Sequence, residues 1–341
     1  MKTILVTGGC GFIGSCFVRT MLASAKEIDV IVADKLTYAG NLGNLAEFWS
    51  DPRFIFEKVN VADKVKVDAM FREHAIDAVV HFAAETHVDR SIKDATPFVM
   101  TNVLGTQVLL DACKDRGIDR FVQVSTDEVY GALNDGEPAF TEISCLKPTN
   151  PYSASKAAAD VLVQAYHHTH GVPCIITRCS NDYGPFQFSE KFIPVTITRA
   201  LDDEPIPVYG NGQNMRDWIF VEDHCNGLLQ ILERGTPGEI YNLGGGKPRR
   251  NIEVVKQILE ILEKPESLIE FVEDRPGHDY RYAMNFHKVT RELGWTPATP
   301  FEEGLHATVH WYEDHPAWIR DIKSGAYLNS YRDYKKLARR R

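Results

Sequence analysis

A strand, three spaced glycines and a helix follow one another within the first 25 residues, and few folds can use that order. Thr3, Ile4, Leu5, Val6 and Thr7 read as a strand, Gly8, Gly9, Cys10, Gly11, Phe12, Ile13 and Gly14 as a loop, and the run to about Ala25 as a helix. Gly8 permits a tight turn, Gly11 lets backbone approach a pyrophosphate, and Gly14 allows helix to pack on strand. The helix N-terminus then offers its free N–H groups to an anion. A lone glycine pattern is weak, but this one is answered by a second apolar strand, Asp29 to Ala33, that ends in Asp34, about twenty residues on. Together they favour a dinucleotide site over a structural glycine turn. The Asp34 carboxylate can accept hydrogen bonds from a free ribose hydroxyl and would repel a phosphate there, so NAD is expected rather than NADP. Lys35 is the neighbouring cation that could tolerate the extra phosphate.

Further strands are expected at Phe54–Lys58, Ala78–Phe82, Arg120–Val124 and Cys174–Thr177, with helices at Lys64–His74, Thr101–Cys113 and Asn150–Thr169. This alternation predicts an α/β fold, a doubly wound parallel sheet with right-handed crossovers. After Arg178 the elements shorten, and loops rich in Pro, Gly, Asn and charge separate them at 181–191, 209–217, 244–251 and 274–282. We expect a nucleotide-binding domain over 1–180, with parts of 210–245 returning to it. A smaller mixed α/β cap over 181–325 would carry helices at Val221–Glu233, Ile252–Leu262 and Pro300–Tyr312. Residues 326–341 read as a basic tail ending in Lys335, Lys336, Arg339, Arg340 and Arg341, more simply a solvated terminus than an anion-binding arm.

A net charge of -9 argues against a mainly electrostatic nucleic-acid binder but leaves room for a local basic pocket. No apolar run reaches the length of a membrane span, and Met1 leads directly into a strand, so a soluble cytoplasmic protein without membrane or nucleic-acid partners is expected. The seven cysteines, Cys10, Cys16, Cys113, Cys145, Cys174, Cys179 and Cys225, are odd in number and scattered, which suits free buried thiols. His167, His168 and His170 lack a cysteine or carboxylate cluster at ligand spacing. They read as polar groups at a helix end, and no metal site is expected.

A second constellation lies further along. Phe121 to Val124 look like a buried strand, and Ser125, Thr126, Asp127, Glu128, Val129, Tyr130 and Gly131 follow where such a strand ends. Ligands gather at the carboxyl ends of parallel strands. Alone, the acid pair would be a solvated loop. Tyr152 and Lys156, spaced one helical turn apart on a common face, change that balance. A tyrosine and a lysine at this spacing can also simply cover a surface, but alongside the glycine loop a convergent catalytic site is the stronger reading.

Together these motifs resemble the extended short-chain dehydrogenase/reductase family and, within it, the nucleotide-sugar 4,6-dehydratases. The resemblance spans nearly the whole chain, through Gly8, the run Asp34, Lys35, Leu36, Thr37, Tyr38, Ala39, Gly40, Asn41, the run Ala83 to Ser91, and Ser125 to Gly131. It implies a Rossmann-like domain with recycled NAD, a nucleoside diphosphate glucose as substrate, with dTDP-glucose foremost, and a homodimer paired through the helices at Thr101–Cys113 and Asn150–Thr169. Thymine and uracil differ by one methyl, worth about 1–3 kcal/mol in a pocket, so the base stays open. The implied reaction is a redox-neutral loss of water. A hexose C5 proton is barely acidic until C4 is a ketone, so oxidation at C4 precedes removal of the C5 proton and loss of the C6 hydroxyl. Two neighbouring carboxyls can divide that work if their pKa values are pushed apart. The resemblance implies Glu128 as base at C5, Asp127 as acid at the C6 oxygen, and Tyr152, with Thr126, as base at the C4 hydroxyl. Lys156 and the cationic nicotinamide would favour the phenolate.

By the same resemblance, cofactor contacts fall to Gly8, Gly11, Phe12, Ile13, Gly14, Asp34, Lys35, Leu36, Thr37, Asn60, Val61, Phe82, Ala83, Ala84, Thr101, Tyr152, Lys156 and Asp182. Substrate contacts fall to Thr86, Thr126, Asn181, Lys191, Phe192, Pro207, Tyr209, Arg216, Asn251, Arg275 and His278. Arg216 suits a diphosphate because its planar fork binds two oxygens, whereas Lys191 could equally be a surface cation. The chain departs from the family pattern with Cys10 for Ala, Asn60 for Asp, Asp182 for Asn and Ser189 for Pro. None removes a chemical role. A UDP-sugar 4,6-dehydratase or an epimerase shares these motifs, although epimerases usually carry small or hydroxyl residues in place of Asp127 and Glu128. A non-catalytic scaffold, binding RNA through the basic tail, has no need of Thr126, Asp127, Glu128, Tyr152 and Lys156 together.

Overall fold

The structure, a computed structural model, describes residues 1–24, 27–274 and 277–338. In chain order, β1 (Thr3–Thr7), α1 (Phe12–Ser24), β2 (Asp29–Ala33), β3 (Phe54–Glu57), α2 (Lys64–Glu73) and β4 (Ala78–His81) come first. They are followed by α3 (Val88–Lys93), α4 (Thr96–Phe98), α5 (Gly105–Arg116), β5 (Arg120–Thr126), α6 (Pro151–His170) and β6 (Cys174–Cys179). Next come β7 (Asn181–Tyr183), α7 (Phe192–Leu201), β8 (Ile206–Tyr209), β9 (Met215–Arg216), β10 (Trp218–Phe220), α8 (Val221–Arg234) and β11 (Ile240–Leu243). The chain continues through β12 (Arg249–Arg250), α9 (Asn251–Ile261), β13 (Ile269–Val272), α10 (His287–Leu293), α11 (Phe301–Asp314), α12 (Pro316–Ser324) and α13 (Ser330–Ala338).

Seven strands pair in the order β11-β6-β5-β4-β1-β2-β3, every pair parallel. The chain winds one way from β1 to β3 and the other way from β4, so a crevice opens at the carboxyl ends of β1 and β4, where such sheets bind ligands. Both faces are covered, which explains the unbroken apolar runs in the strands. Phe17, Met21, Leu228 and Leu232 pack on one face, and Val67, Phe71, Leu109 and Val163 on the other. The C-terminal half has its own core, in which Ile197, Val254, Leu259, Val309 and Tyr312 meet Tyr183 and Trp218. Among the described residues no helix is long and apolar enough to cross a membrane.

The start of α6 is written in its sequence. Asn150 accepts the Ser153 N–H at 2.9 Å, Pro151 takes the first helical position, and Gly171 ends the helix at φ 70°. This cap places Tyr152 in the first turn and Lys156 one turn later.

Three expectations need correction. The helix expected from Thr101 is a wide π turn over Val99–Leu104 and becomes α-helical at Gly105. There Asn102 turns inward, accepts the Glu85 N–H at 2.8 Å and donates to Glu85 O at 3.0 Å and to Ser155 Oγ at 2.8 Å. Cys145 is exposed rather than buried, because it lies in a loop. The stretch from residue 326 is folded as far as Ala338, although Lys335 and Lys336 are exposed as expected. It forms a turn over Ala326–Asn329 and then α13, whose Tyr334 sits edge-on to Trp49, Phe54 and Phe56. The reason is the open edge of β3, whose Phe56 N–H is taken up by the Tyr334 hydroxyl at 3.2 Å. Arg339, Arg340 and Arg341 lie outside the described residues.

Candidate active site

The glycine loop behaves as its composition dictates. Gly8 has φ 70°, and a Cβ there would lie 2.6 Å from Ala83 N; a Cβ on Gly14 would lie 2.3 Å from Gly8 O. The first constraint leaves backbone bare at the crevice, and the second brings α1 onto β1. Asp34, at the end of β2, accepts the Cys10 N–H at 3.1 Å and the Leu36 N–H at 2.8 Å. Burial raises its pKa, while those two N–H groups oppose the rise.

A cleft of about 290 Å³ runs from this loop across the sheet. Its wall contains Gly8, Gly11, Phe12, Ile13, Gly14, Asp34, Lys35, Thr37, Asn60, Val61, Phe82, Ala83, Ala84, Thr101, Tyr152, Lys156 and Asp182. Of the expected cofactor residues Leu36 alone is absent from that wall; its side chain packs toward the core, and its N–H serves Asp34. Bare glycine backbone, a helix N-terminus and a carboxylate in the cleft wall fit a dinucleotide.

The catalytic candidates meet at the other end. The Thr126 hydroxyl caps a short turn over Asp127–Tyr130, accepting the Glu128 N–H at 3.2 Å and donating to Asp127 Oδ1 at 3.2 Å. Asp127 is 1% exposed. Its pKa is held well above the carboxylate range by burial first and then by the charges of Glu128 and Asp217, with Arg216 and Thr126 opposing. This environment disfavours the charged carboxylate. Tyr152 N–H donates to Ser91 Oγ at 3.2 Å, fixing the first turn of α6.

Tyr152 is raised well above the ordinary phenol range by burial, then by Glu128, Cys179 and Asp127, against the Thr126 hydroxyl. Lys156 Nζ instead donates to Val124 O at 2.7 Å, and burial lowers its pKa against the pull of Asp160 and Cys179. The protein's own charges beside the phenol are mostly negative, and the expected help to the phenolate is from Lys156 together with the cationic nicotinamide.

The expected substrate residues divide into two groups. Thr86, Thr126, Asn181 and Lys191 line the cleft, and Lys191 Nζ donates to Thr86 O at 3.1 Å, bridging cap and sheet. Phe192 stacks on Trp218 at 6.0 Å, and Arg216 is tied to the carbonyls of Met215 and Asp279 at 2.8 and 3.0 Å with its guanidinium over Tyr282. Asn251 opens α9 beside the β9–β12 pair, where its Oδ1 is buried without a partner. Pro207 and Tyr209 lie on β8, and Tyr209 contacts the ring of His278, which bonds Asp274 at 2.6 Å. These residues stand outside the cleft wall, in the C-terminal half. Arg275 lies outside the described residues.

Sequence reasoning passed over Glu85, Ser180, Gln187 and Glu190 in the cleft wall. Glu85 and Glu190 adjoin Thr86 and Lys191, and that adjacency was the available signal. It also missed a buried contact beside the cleft, where Asp182 Oδ1 meets His224 Nδ1 at 2.8 Å close to Cys179.

Comparison with known proteins places this geometry. A family model described as GDP-mannose 4,6 dehydratase matches residues 5–308. The chain is 48% identical to the dTDP-glucose 4,6-dehydratase of Neisseria meningitidis serogroup B, covering 96% of this chain and 98% of that one. It is 45% identical to the dTDP-glucose 4,6-dehydratase of Escherichia coli, covering 95% and 97%. The crystal structure of dTDP-glucose 4,6-dehydratase from Bacillus anthracis in complex with NAD matches with a TM-score of 0.89 and 44% identity, covering 94% of this chain and all 100% of that chain. A UDP-glucose 4-epimerase from Thermus thermophilus, also with NAD, matches with a TM-score of 0.84 and 31% identity, covering 91% and 99%. With a glycine cradle, the Asp34 carboxylate and an acid pair beside Tyr152 in one cleft, and with agreement along nearly its full length, the chain belongs to the GDP-mannose 4,6 dehydratase family.

Proposed function

We propose that this protein is an NAD-dependent dTDP-glucose 4,6-dehydratase, a hydro-lyase that converts the sugar nucleotide to its 4-keto-6-deoxy product. The observation that carries the reading is the adjacent Asp127–Glu128 pair beside Tyr152, with Asp127 buried where its pKa is raised. Bound NAD would take hydride from C4 and return it to C6. Tyr152, with Thr126, takes the C4 hydroxyl proton. Glu128 then removes the C5 proton, and Asp127 donates to the C6 oxygen as water leaves. Burial and the neighbouring carboxylates raise the Tyr152 pKa, and the positive charge of a bound nicotinamide would oppose that rise.

In this reading Thr86, Asn181 and Lys191 hold the sugar diphosphate nearest the cleft, and Phe192, Pro207, Tyr209, Arg216, Asn251, Arg275 and His278 carry the rest of the nucleotide. Residues 1–180 with the returning β11 form the cofactor domain, and 181–325 are mainly the substrate cap. Incubation with dTDP-glucose, UDP-glucose and CDP-glucose separately tests the assignment by mass. Loss of one water from dTDP-glucose is expected; no loss from any of the three by NAD-loaded protein would refute it. The epimerase alternative has no use for two ionisable carboxyls at the end of β5.

Asp34 should set the cofactor preference. Asp34→Ala removes the ribose acceptor and the negative charge, so the ratio of NAD to NADP affinity should fall by about tenfold or more. An unchanged ratio contradicts this role.

We also propose a cytoplasmic homodimer. Val99, Met100 and Val161 are exposed by 50%, 46% and 53% on the π turn and on α6, an apolar face that a second copy would cover. Sedimentation at micromolar concentration should give twice the chain mass, and a monomer counts against it.

A further inference from the structure

The C-terminal segment reaches back across the molecule to the loop from Asp34 to Asn41. That loop contains a strained residue: Leu36 has φ 57°, a left-handed conformation that costs a side-chain-bearing residue about 1–2 kcal/mol. Such strain persists only where the surroundings fix it. Asp34 takes the Leu36 N–H from inside, and from outside the Tyr327 hydroxyl donates to Tyr38 O at 2.6 Å. The Tyr38 ring lies under the Arg90 guanidinium at 3.9 Å and edge-on to Phe188, which in turn meets Tyr327.

The segment is anchored at its far end on β3, through Tyr334 and the Phe56 N–H. The chain runs from β3 to Asn60 and Val61, two more residues of the cleft wall. Between loop and helix lies a cavity of about 270 Å³, lined by Leu36, Gly40, Lys58, Tyr331 and Arg332 among others. Beside this cavity the loop is held through Tyr38, whose hydroxyl also donates to Glu190 Oε1 at 3.1 Å, rather than packed solidly against α13. The family model ends at residue 308, before this segment begins.

We propose that Tyr327 is a positioning residue for the dinucleotide: it holds the Asp34 loop in its strained, ribose-facing form, and docking of residues 326–338 is thermodynamically coupled to NAD binding. The proposal rests on the NAD reading above. Coupling is reciprocal, so NAD must steady the segment by as much as the segment steadies NAD.

The test uses the full chain and its Tyr327→Phe variant, measuring release of bound NAD and hydrogen exchange of the 326–338 amides with and without NAD. Loss of one neutral hydrogen bond should speed NAD release about five-fold. NAD should slow exchange of those amides in the wild type and do so less in the variant. A purely structural tether lowers the melting temperature of the cofactor-free protein and leaves NAD release untouched. That result, or exchange that NAD does not alter in the wild type, overturns the proposal. Wild-type protein that binds no NAD overturns the cofactor reading itself, and this inference with it.

Discussion

Glu128→Gln should halt the reaction between oxidation and elimination, with reduced cofactor visible on the enzyme and water loss slowed by about 10²–10⁴-fold. In the proposed mechanism Tyr152 works before the 4-ketone exists, whereas Glu128 works after it, so an amide at 128 leaves the first step its base. The two residues nonetheless share one electrostatic site, since the Glu128 charge helps raise both Tyr152 and Asp127. Removing that charge should make the Tyr152 proton easier to lose, which favours the oxidation half further. A variant that folds normally, binds NAD and forms no reduced cofactor with substrate would show that Glu128 belongs to the first step.

Arg178→Leu should cost about 3–5 kcal/mol of stability at neutral pH, the range for stripping one partner from a buried ion pair. Arg178 Nε meets Asp160 Oδ2 at 2.9 Å, and both side chains are essentially inaccessible at 2% and 0%. Asp160 stands one turn beyond Lys156 on α6, so the pair also secures the helix that carries the site. Burial already raises the Asp160 pKa, with Arg178 first and Lys156 next opposing it. Without Arg178 it rises further. A carboxyl whose folded pKa exceeds its unfolded value adds stability that is full below the unfolded pKa and is lost as pH rises through the folded pKa. The deficit of the variant against wild type should therefore be largest at neutral pH and shrink toward acid. Urea midpoints across pH check this, and a deficit under about 1 kcal/mol at pH 7 would mean that Asp160 finds another partner.

The same α6 illustrates what the sequence could reveal. Its cap, its proline, its terminal glycine and the Tyr152–Lys156 spacing are local signals, and the helix runs as they dictate. The parallel strands were legible for a related reason, because burial on both faces leaves unbroken apolar runs. The π turn at Val99–Leu104 was not legible, because its cause is Asn102 reaching Glu85 and Ser155, residues distant in sequence. Docking of α13 was hidden likewise. Its two lysines and Arg332 suggest solvent, and the aromatic face of Tyr331 and Tyr334 has meaning only once β3 is known to be an edge. Within the site, motif and resemblance together brought out the acid pair, Tyr152 and Lys156, but not the bond from Lys156 to Val124 O, which depends on how strand and helix approach. The C-terminal residues depend on short pairings, β9 with β12 and β8 with β13, that join segments far apart in the chain.

The central claim is that one chain oxidises C4, eliminates across C5 and C6, and returns the same hydride to C6. A substrate deuterated at C4 tests it most directly, read by the position of the label in the product. The label should arrive in the new methyl group, and in heavy water with ordinary substrate a deuteron should enter at C5, where Glu128 exchanges its proton with solvent. Label found back at C4 without loss of water, as an epimerase would leave it, or released on free reduced cofactor, as a simple dehydrogenase would, contradicts the account.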